Sequence, residues 1–322
     1  MVRFGVQHWS RDVKHGLEYA GFRVVLACLR ALPLDRAAAV VAALMRKLAP
    51  HQRRHRRALA NLALAFPEKS AAEREAIALG MWDNIGRVIA EAAHLDRFLA
   101  EPHRYDPIEM SILDRYAAEG GLYVVASLHT GNWEIGLLPT CLRGYDPAAF
   151  YRMVANPFVE RYLKTSRERI YTGGLFAVRG ETAGKVSPNL RSRQLVACLR
   201  KGVPVAILSD HYDHDGVVVP FFGHDLRASR GAATLALQFR ARLCVARTIR
   251  LGTQSRFTGE AVEIALPDTG DREADIATVT AAIMRHFEGW IRQFPEQWMW
   301  SQGPLVPSDA VERVLAAEQV RC

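Results

Sequence analysis

The chain has 322 residues, 49% hydrophobic, 24% charged and 9% aromatic, enough for one large domain or two ordinary ones around a substantial core; disordered, collagenous and coiled-coil chains are excluded. Five cysteines (Cys28, Cys141, Cys198, Cys244, Cys322) are odd in number and scattered, without the paired short spacing of a zinc ribbon or a disulfide scaffold, and they point to a reducing compartment. The net charge of +8 is uneven: residues 1–60 carry 12 Lys and Arg against Asp12, Glu18 and Asp35, or +9, so the other 262 residues sum to −1.

From residue 17 to 49 the chain reads as two apolar helical segments broken near Pro33. Leu17, Gly21, Val24, Val25, Cys28 and Leu32 fall on one stripe, and Arg23 and Arg30 share the opposite face. The longest stretches here without a charge, 24–29 and 37–45, are far short of the ~20 apolar residues that a bilayer core requires. Charges also interrupt the apolar part and no small-residue cleavage site follows, so the segment is a poor signal peptide. Next comes His51-Gln-Arg-Arg-His-Arg-Arg57, four arginines in seven residues. Such a cluster suits the phosphates of nucleic acid or of anionic lipid, and beside the apolar pair the lipid surface is the better match, each cation near an anionic leaflet contributing ~1 kcal/mol. Residues 1–60 are thus expected to form a basic amphipathic extension lying in the membrane plane. The alternative is an ordinary helical hairpin packed on the domain.

Residues 61–322 are expected to form the second unit. A helix over 71–99 is followed by alternating strand-like and helix-like segments, the signature of an α/β sheet. Strands are expected over 122–128, 148–153, 203–209, 217–222, 243–251 and 257–266. Asn156-Pro157 supplies an N-cap and a proline at the first position of a helix over 158–170; Ser187-Pro188 repeats the device before a helix over 189–201 that Gly202 closes. Further helices are expected over 229–239 and 271–294.

The chemistry concentrates after the first strand, in His129-Thr-Gly-Asn-Trp-Glu134. A strand ending at Leu128 releases His129 into a loop at its carboxyl end, where open α/β sheets place ligands. Asn132 is a plausible N-cap for a helix starting at Trp133. On one continuous helix His129 and Glu134 would be about 140° apart. They can act together only if the turn folds the imidazole back so that the Glu134 carboxylate accepts from one ring nitrogen, leaving the other free to take a proton. A histidine beside a glutamate also occurs as a purely structural pair.

His-Thr-Gly-Asn-Trp-Glu is similar to the His-x4-Asp/Glu motif of glycerolipid acyltransferases, and in this form resembles the bacterial lipid A biosynthesis acyltransferases. Asn61-Leu with Phe66-Pro-Glu68, Phe150-Tyr-Arg152, Asn156-Pro157, 202–210, Pro220-Phe-Phe-Gly223, and Pro295-Glu-Gln-Trp298 with Trp300 extend the likeness over most of the chain. The resemblance implies a glycerolipid-acyltransferase-like α/β fold, a central mixed sheet flanked by helices. It implies transfer of an acyl chain from an acyl carrier protein to a hydroxyl of a lipid A precursor, without a cofactor, at the cytoplasmic face of the inner membrane. His129 would be the general base and Glu134 its orienting carboxylate, and Arg152 would stabilise an oxyanion or bind a phosphate. Asn132, Asn156 and Asp210 are the candidate substrate-binding residues, although Asn156 suits a helix cap as well.

Two departures bear on the acceptor: Asp210-His211 where relatives carry Asp-Gln, and Ser301-Gln302-Gly303 where they continue with a basic stretch. A lysophospholipid, a lipoamino acid or a glycolipid is the alternative acceptor. Asp210-His-Tyr-Asp-His-Asp215 raises a metal-dependent hydrolase as another enzyme class, but neighbours on a strand point in opposite directions and the segment lacks ligand spacing, so no metal site is assigned. A basic nucleic-acid-binding protein would match the charge, yet no binding motif accompanies it. Phe221-Phe222 and Trp298 with Trp300 read as core, the tryptophans alternatively lining an acyl channel.

Overall fold

The structure, a computed structural model, describes residues 2–106, 111–177, 197, 198, 200–307 and 310–321. The Ser187-Pro188 helix start lies outside the described residues.

Eight strands are present among them: β1 (Tyr123–Ser127), β2 (Ala148–Tyr151), β3 (Gly174–Ala177), β4 (Val205–Leu208), β5 (Tyr212–Phe221), β6 (His224–Ala228), β7 (Arg242–Arg250) and β8 (Phe257–Ile264). Six form one sheet in the order β3-β2-β4-β1-β7-β8, parallel except for the β7–β8 pair, and β5 and β6 form a separate antiparallel hairpin. This is the expected mixed sheet with helices around it. A strand covered on both faces carries apolar residues at successive positions. In β1, Val124 and Ala126 join a core containing Met81, Phe287 and Trp298, while Tyr123 and Val125 join a second containing Phe98, Tyr116 and Ile135. Neither β3 nor β6 was expected: β3 is four residues long and only half-buried, and β6 alternates charged exposed residues with Leu226 and Ala228 inside.

The N-terminal helices are α1 (Val2–Arg30), α2 (Leu34–Leu48), α3 (Arg53–Ala65) and α4 (Ala71–Ala92). A capping box starts α4, with the Ser70 hydroxyl accepting from the Glu73 N–H and the Glu73 carboxylate accepting from the Ser70 N–H. The expected helix over 71–99 breaks after Ala92 and resumes as Leu95–Ala100. At the break, Arg30 donates to the Ala93 carbonyl and the His94 ring bonds the Leu29 carbonyl, so tertiary contacts take over polar groups there. Beside the same stretch, α2 packs on α4 through buried Ala37, Ala38 and Ala42, with Ala90 of α4 and Leu29 in the same cluster as the first two. The approach is so close at Gly86 that a Cβ there would lie 2.7 Å from the Ala42 Cα.

The docking of α1 is inverted relative to a core helix. A mostly polar and aromatic side meets the domain, with Leu26 buried and Leu29 packed among alanines near the C-terminal end: the Asn156 amide donates to the His15 carbonyl and the Glu18 carboxylate, Arg30 pairs with Asp96 at 2.7 Å, and Tyr19 and Phe22 pack on Phe158 and Tyr162. Leu17, Gly21, Val24, Val25, Cys28 and Leu32, the apolar stripe, are all exposed. The basic cluster does not present one face. Arg53 and Arg54 are exposed, Arg56 pairs with Glu312, and Arg57 is half-buried, donating to the Gly303 carbonyl. No described helix is long and apolar enough to cross a membrane.

Candidate active site

Parallel pairing of β1 with β4 matches Ser127 to Leu208, and the Ser209 N–H donates to the Ser127 carbonyl just beyond it. Two residues past each matched position stand His129 and Asp210. The strand register therefore brings together an imidazole and a carboxylate 81 residues apart in the chain.

Asp210 is almost fully buried and faces three donors. Its Oδ1 lies 2.8 Å from His129 Nδ1; its Oδ2 accepts from the His129 backbone N–H at 2.7 Å and from the Trp298 indole N–H at 2.8 Å. Burial alone would push the Asp210 pKa up, but His129, by charge and by both hydrogen bonds, and the Trp298 indole reverse this, holding it below the ordinary aspartate value. An ionised carboxylate can only accept, so Nδ1 carries the proton and a neutral His129 has its lone pair on Nε2. Among the described residues Nε2 has no hydrogen-bond partner, and the side chain is 24% exposed. Burial works against the imidazolium, but the Asp210 charge and hydrogen bond and the more distant Glu134 charge prevail, raising the His129 pKa above its ordinary value. Trp133 packs edge-on against the imidazole, ring centres 5.3 Å apart.

This arrangement corrects the expected partnership of His129 with Glu134. Glu134 instead accepts from Arg167 Nε at 2.7 Å and Nη2 at 2.6 Å, a two-pronged ion pair with the last residue of the helix Pro157–Arg167. The cause is local. Gly131 takes φ +56, where glycine is at ease, and presses so close to β7 that a Cβ would fall 2.1 Å from the Thr248 carbonyl oxygen. The Asn132 side chain then caps a single 3-10 turn, Trp133–Ile135, in place of the expected helix. From within that turn the Glu134 carboxylate meets Arg167.

A buried polar network holds this loop from behind. Asn132 donates to Glu91, a fully buried carboxylate that also accepts from both terminal nitrogens of Arg250 and from the Ser255 hydroxyl. Arg250 Nε donates to Asn84, whose amide donates to the Gly131 and Gln297 carbonyls. Each of these partners of Glu91 is a donor, so its charge is matched, and the loop is held through the Gly131 carbonyl and the Asn132 side chain. A neighbouring cleft of about 450 Å³ is lined by Arg46, Asp83, Asn84, Arg250 and Glu296 among others, and by neither His129 nor Asp210.

The remaining expected site residues fall as follows. Arg152 is exposed just after β2 and has no ion-pair or hydrogen-bond partner among the described residues. Asn156 caps Pro157–Arg167 by accepting from the Phe158 and Val159 N–H groups, and its amide holds α1; Asn132 is likewise committed to capping and to Glu91. Asp210 sits under the imidazole and not in a position of its own. Among the described residues no three His, Cys, Asp or Glu side chains gather as a metal site. Arg167, Glu91 and Arg250 escaped the sequence reading. Their signal lies in strand register and helix docking, which join distant segments.

Residues 8–303, a span that includes all of these groups, match the family described as bacterial lipid A biosynthesis acyltransferase. The chain is similar to the lipid A biosynthesis myristoyltransferase of Escherichia coli (strain K12), 26% identical over 256 residues that cover 76% of this chain and 73% of that protein. It is similar to the same extent to lipid A biosynthesis acyltransferase 1 of Shigella flexneri.

Proposed function

The chain belongs to the bacterial lipid A biosynthesis acyltransferase family, and from that premise we propose that it moves a fatty acyl chain from an acyl carrier protein thioester to a hydroxyl of a lipid A precursor, at the cytoplasmic face of the inner membrane. The observation that carries this reading is the His129–Asp210 pair, which leaves the Nε2 lone pair of a neutral imidazole free at the end of β1. We take the sheet and its helices to be of the glycerolipid-acyltransferase type.

In this reading Nε2 takes the proton of the acceptor hydroxyl as its oxygen attacks the thioester carbonyl carbon. The imidazolium is stabilised by Asp210, which makes the proton transfer less costly without itself becoming protonated. Collapse of the tetrahedral intermediate breaks the carbon–sulfur bond. The proton on Nε2 passes to the departing sulfur, yielding an O-acyl ester and the free thiol of the carrier. Asp210 thus becomes the orienting residue, the role first given to Glu134. Glu134 acts by charge from its pair with Arg167, and Arg152, at the β2 end and without a partner among the described residues, offers its guanidinium to an oxyanion or an acceptor phosphate. Asn132 acts through the cap of the Trp133–Ile135 turn, and Asn156 through the cap of the helix whose last residue, Arg167, holds Glu134.

The extension over residues 1–60 serves as the membrane foot. Leu17 and Val24, 71% and 63% exposed, lie on an apolar face that α1 turns away from the domain, and Val40, Leu44 and Leu48 continue such a face on α2. Arg53 and Arg54 supply charge for anionic headgroups, while Arg56 is engaged in a surface ion pair with Glu312 and half-buried Arg57 bonds the Gly303 carbonyl.

Purified protein supplied with a fatty acyl carrier protein and a lipid A precursor is expected to form an O-acyl product, detected by mass spectrometry. A lysophospholipid offered in its place is expected to be a poorer acceptor. Transfer to the lysophospholipid alone would move the assignment to the alternative acceptor, and no transfer to either would remove it.

A further inference from the structure

Trp298 reads from sequence as core, and its packing fits that: it is buried, with Phe221 and Trp300 edge-on at 6.0 and 4.6 Å. Core packing does not account for where its N–H goes. A buried indole needs an acceptor, and backbone carbonyls commonly provide one. Trp300 follows that pattern, donating to the Pro295 carbonyl. Trp298 instead donates to Asp210 Oδ2, the carboxylate that holds His129 Nδ1.

The same segment also grips the loop that carries the base. The Met299 N–H donates to the His129 carbonyl at 3.2 Å, Thr130 and Trp298 form an antiparallel bridge, and the Gln297 carbonyl accepts from Asn84, which also holds Gly131. Residues 297–299 therefore hold both the backbone of His129 and the carboxylate beside its ring from one short piece of chain. We infer that Trp298 is a positioning residue of the acyl-transfer site: its indole N–H holds Asp210 in one rotamer, with Oδ1 aimed at Nδ1, and takes up a share of the carboxylate charge.

This inference rests on the reading of His129 as the base, and it has a direction of its own. A carboxylate deprived of one donor keeps its full charge and draws harder on the proton that remains. Loss of the indole N–H thus strengthens the hold of Asp210 on the imidazolium and raises the His129 pKa further. Loss of the Asp210 charge does the opposite. A residue that merely fills space moves neither.

Two variants of the full chain separate these roles. Trp298→Phe removes the N–H and some volume; replacement of Trp298 by the unnatural amino acid β-(3-benzothienyl)alanine removes the N–H and keeps the two-ring shape, and this one decides if the first fails to fold. The His129 ring is titrated by NMR without substrate, and kcat/KM for transfer from acyl carrier protein is followed against pH. The expected result is a His129 titration moved to higher pH in both variants, with kcat/KM at neutral pH lowered roughly tenfold, the scale of a hydrogen bond to a charged group. Combined with Asp210→Asn, either variant should add no further loss. A wild-type titration in the benzothienyl variant, or losses that multiply in the double variant, would overturn the inference. If His129→Ala abolishes transfer while the Trp298 variants titrate as wild type, only this inference fails. If His129→Ala transfers at the wild-type rate, the reading beneath it fails whatever Trp298 does.

Discussion

Asp210 is the residue whose environment makes the most specific statement about rate. Its charge and its hydrogen bond overcome the burial that would otherwise lower the His129 pKa. A general base works when unprotonated, so kcat/KM should climb as pH rises through that raised value. In Asp210→Asn the carboxylate charge is gone, burial is opposed only by the more distant Glu134, and the imidazole releases its proton more readily. The ascending limb should therefore shift to lower pH. The plateau should also fall, by roughly 10², because the imidazolium formed during transfer has lost its counter-charge and the tautomer its anchor. Measuring kcat/KM across the limb checks both effects. A limb left where it stands in the wild type would mean that Asp210 does not pair with His129 in solution.

Among the elements, the β1–β4 register and the Gly131 turn together make the site. The motif containing His129 drew notice because a strand ending at Leu128 releases the histidine at the carboxyl end of the sheet, where open α/β folds place ligands, and because of its likeness to the family motif. Its partner was not, because proximity in sequence favoured Glu134 while proximity in space is set by which strands pair and in what register. Asp210 was visible as a residue worth naming, but its position two residues past the match of Leu208 with Ser127 is information that only the sheet contains. Gly131 is the test of this geometry. Gly131→Ala forces a Cβ against the Thr248 carbonyl at a positive φ, so it should cost about 3 kcal/mol of stability, seen as a lowered unfolding midpoint, and should displace His129 enough to reduce transfer. An alanine variant with the wild-type midpoint would show that the loop does not press on β7.

The inverted docking of α1 is a second element-level result. Its apolar stripe was legible from the 3.6-residue period, and the described structure turns the whole stripe outward. Burial of a Leu or Val side chain stabilises by roughly 1.5–3 kcal/mol, so Leu17→Asp with Val24→Asp should weaken binding to anionic phospholipid vesicles at least tenfold. Both side chains are exposed, so the unfolding midpoint should hardly change. Cosedimentation with vesicles measures the first and thermal unfolding the second. Unchanged sedimentation would contradict the membrane foot.

At the scale of the whole molecule, residues that looked like one kind of signal in the sequence divide into two. Asn61, Phe66 and Trp300, part of the resemblance, tie segments together: Asn61 donates to the Trp300 carbonyl and accepts from the Val306 N–H, and Phe66 packs against Trp300. His129 and Trp298, by contrast, converge on the Asp210 carboxylate. Periodicity and capping residues carried the helices and the central strands, since these depend on neighbours a few positions away. The short edge strand β3, the break in the helix after Ala92 and the Glu91–Arg250 network depend on distant segments and had no local mark.

The central claim is that His129, held by Asp210, is the base that activates the acceptor hydroxyl. The measurement that reaches it most directly is the rate of acyl transfer from an acyl carrier protein thioester to a lipid A precursor by His129→Ala, with folding and vesicle binding checked in parallel. A positioned general base is worth about 10² to 10⁴ in rate, so the variant should be slower by that order while its fold and lipid association stay intact. Transfer at the wild-type rate by a folded, membrane-bound His129→Ala protein would contradict the account.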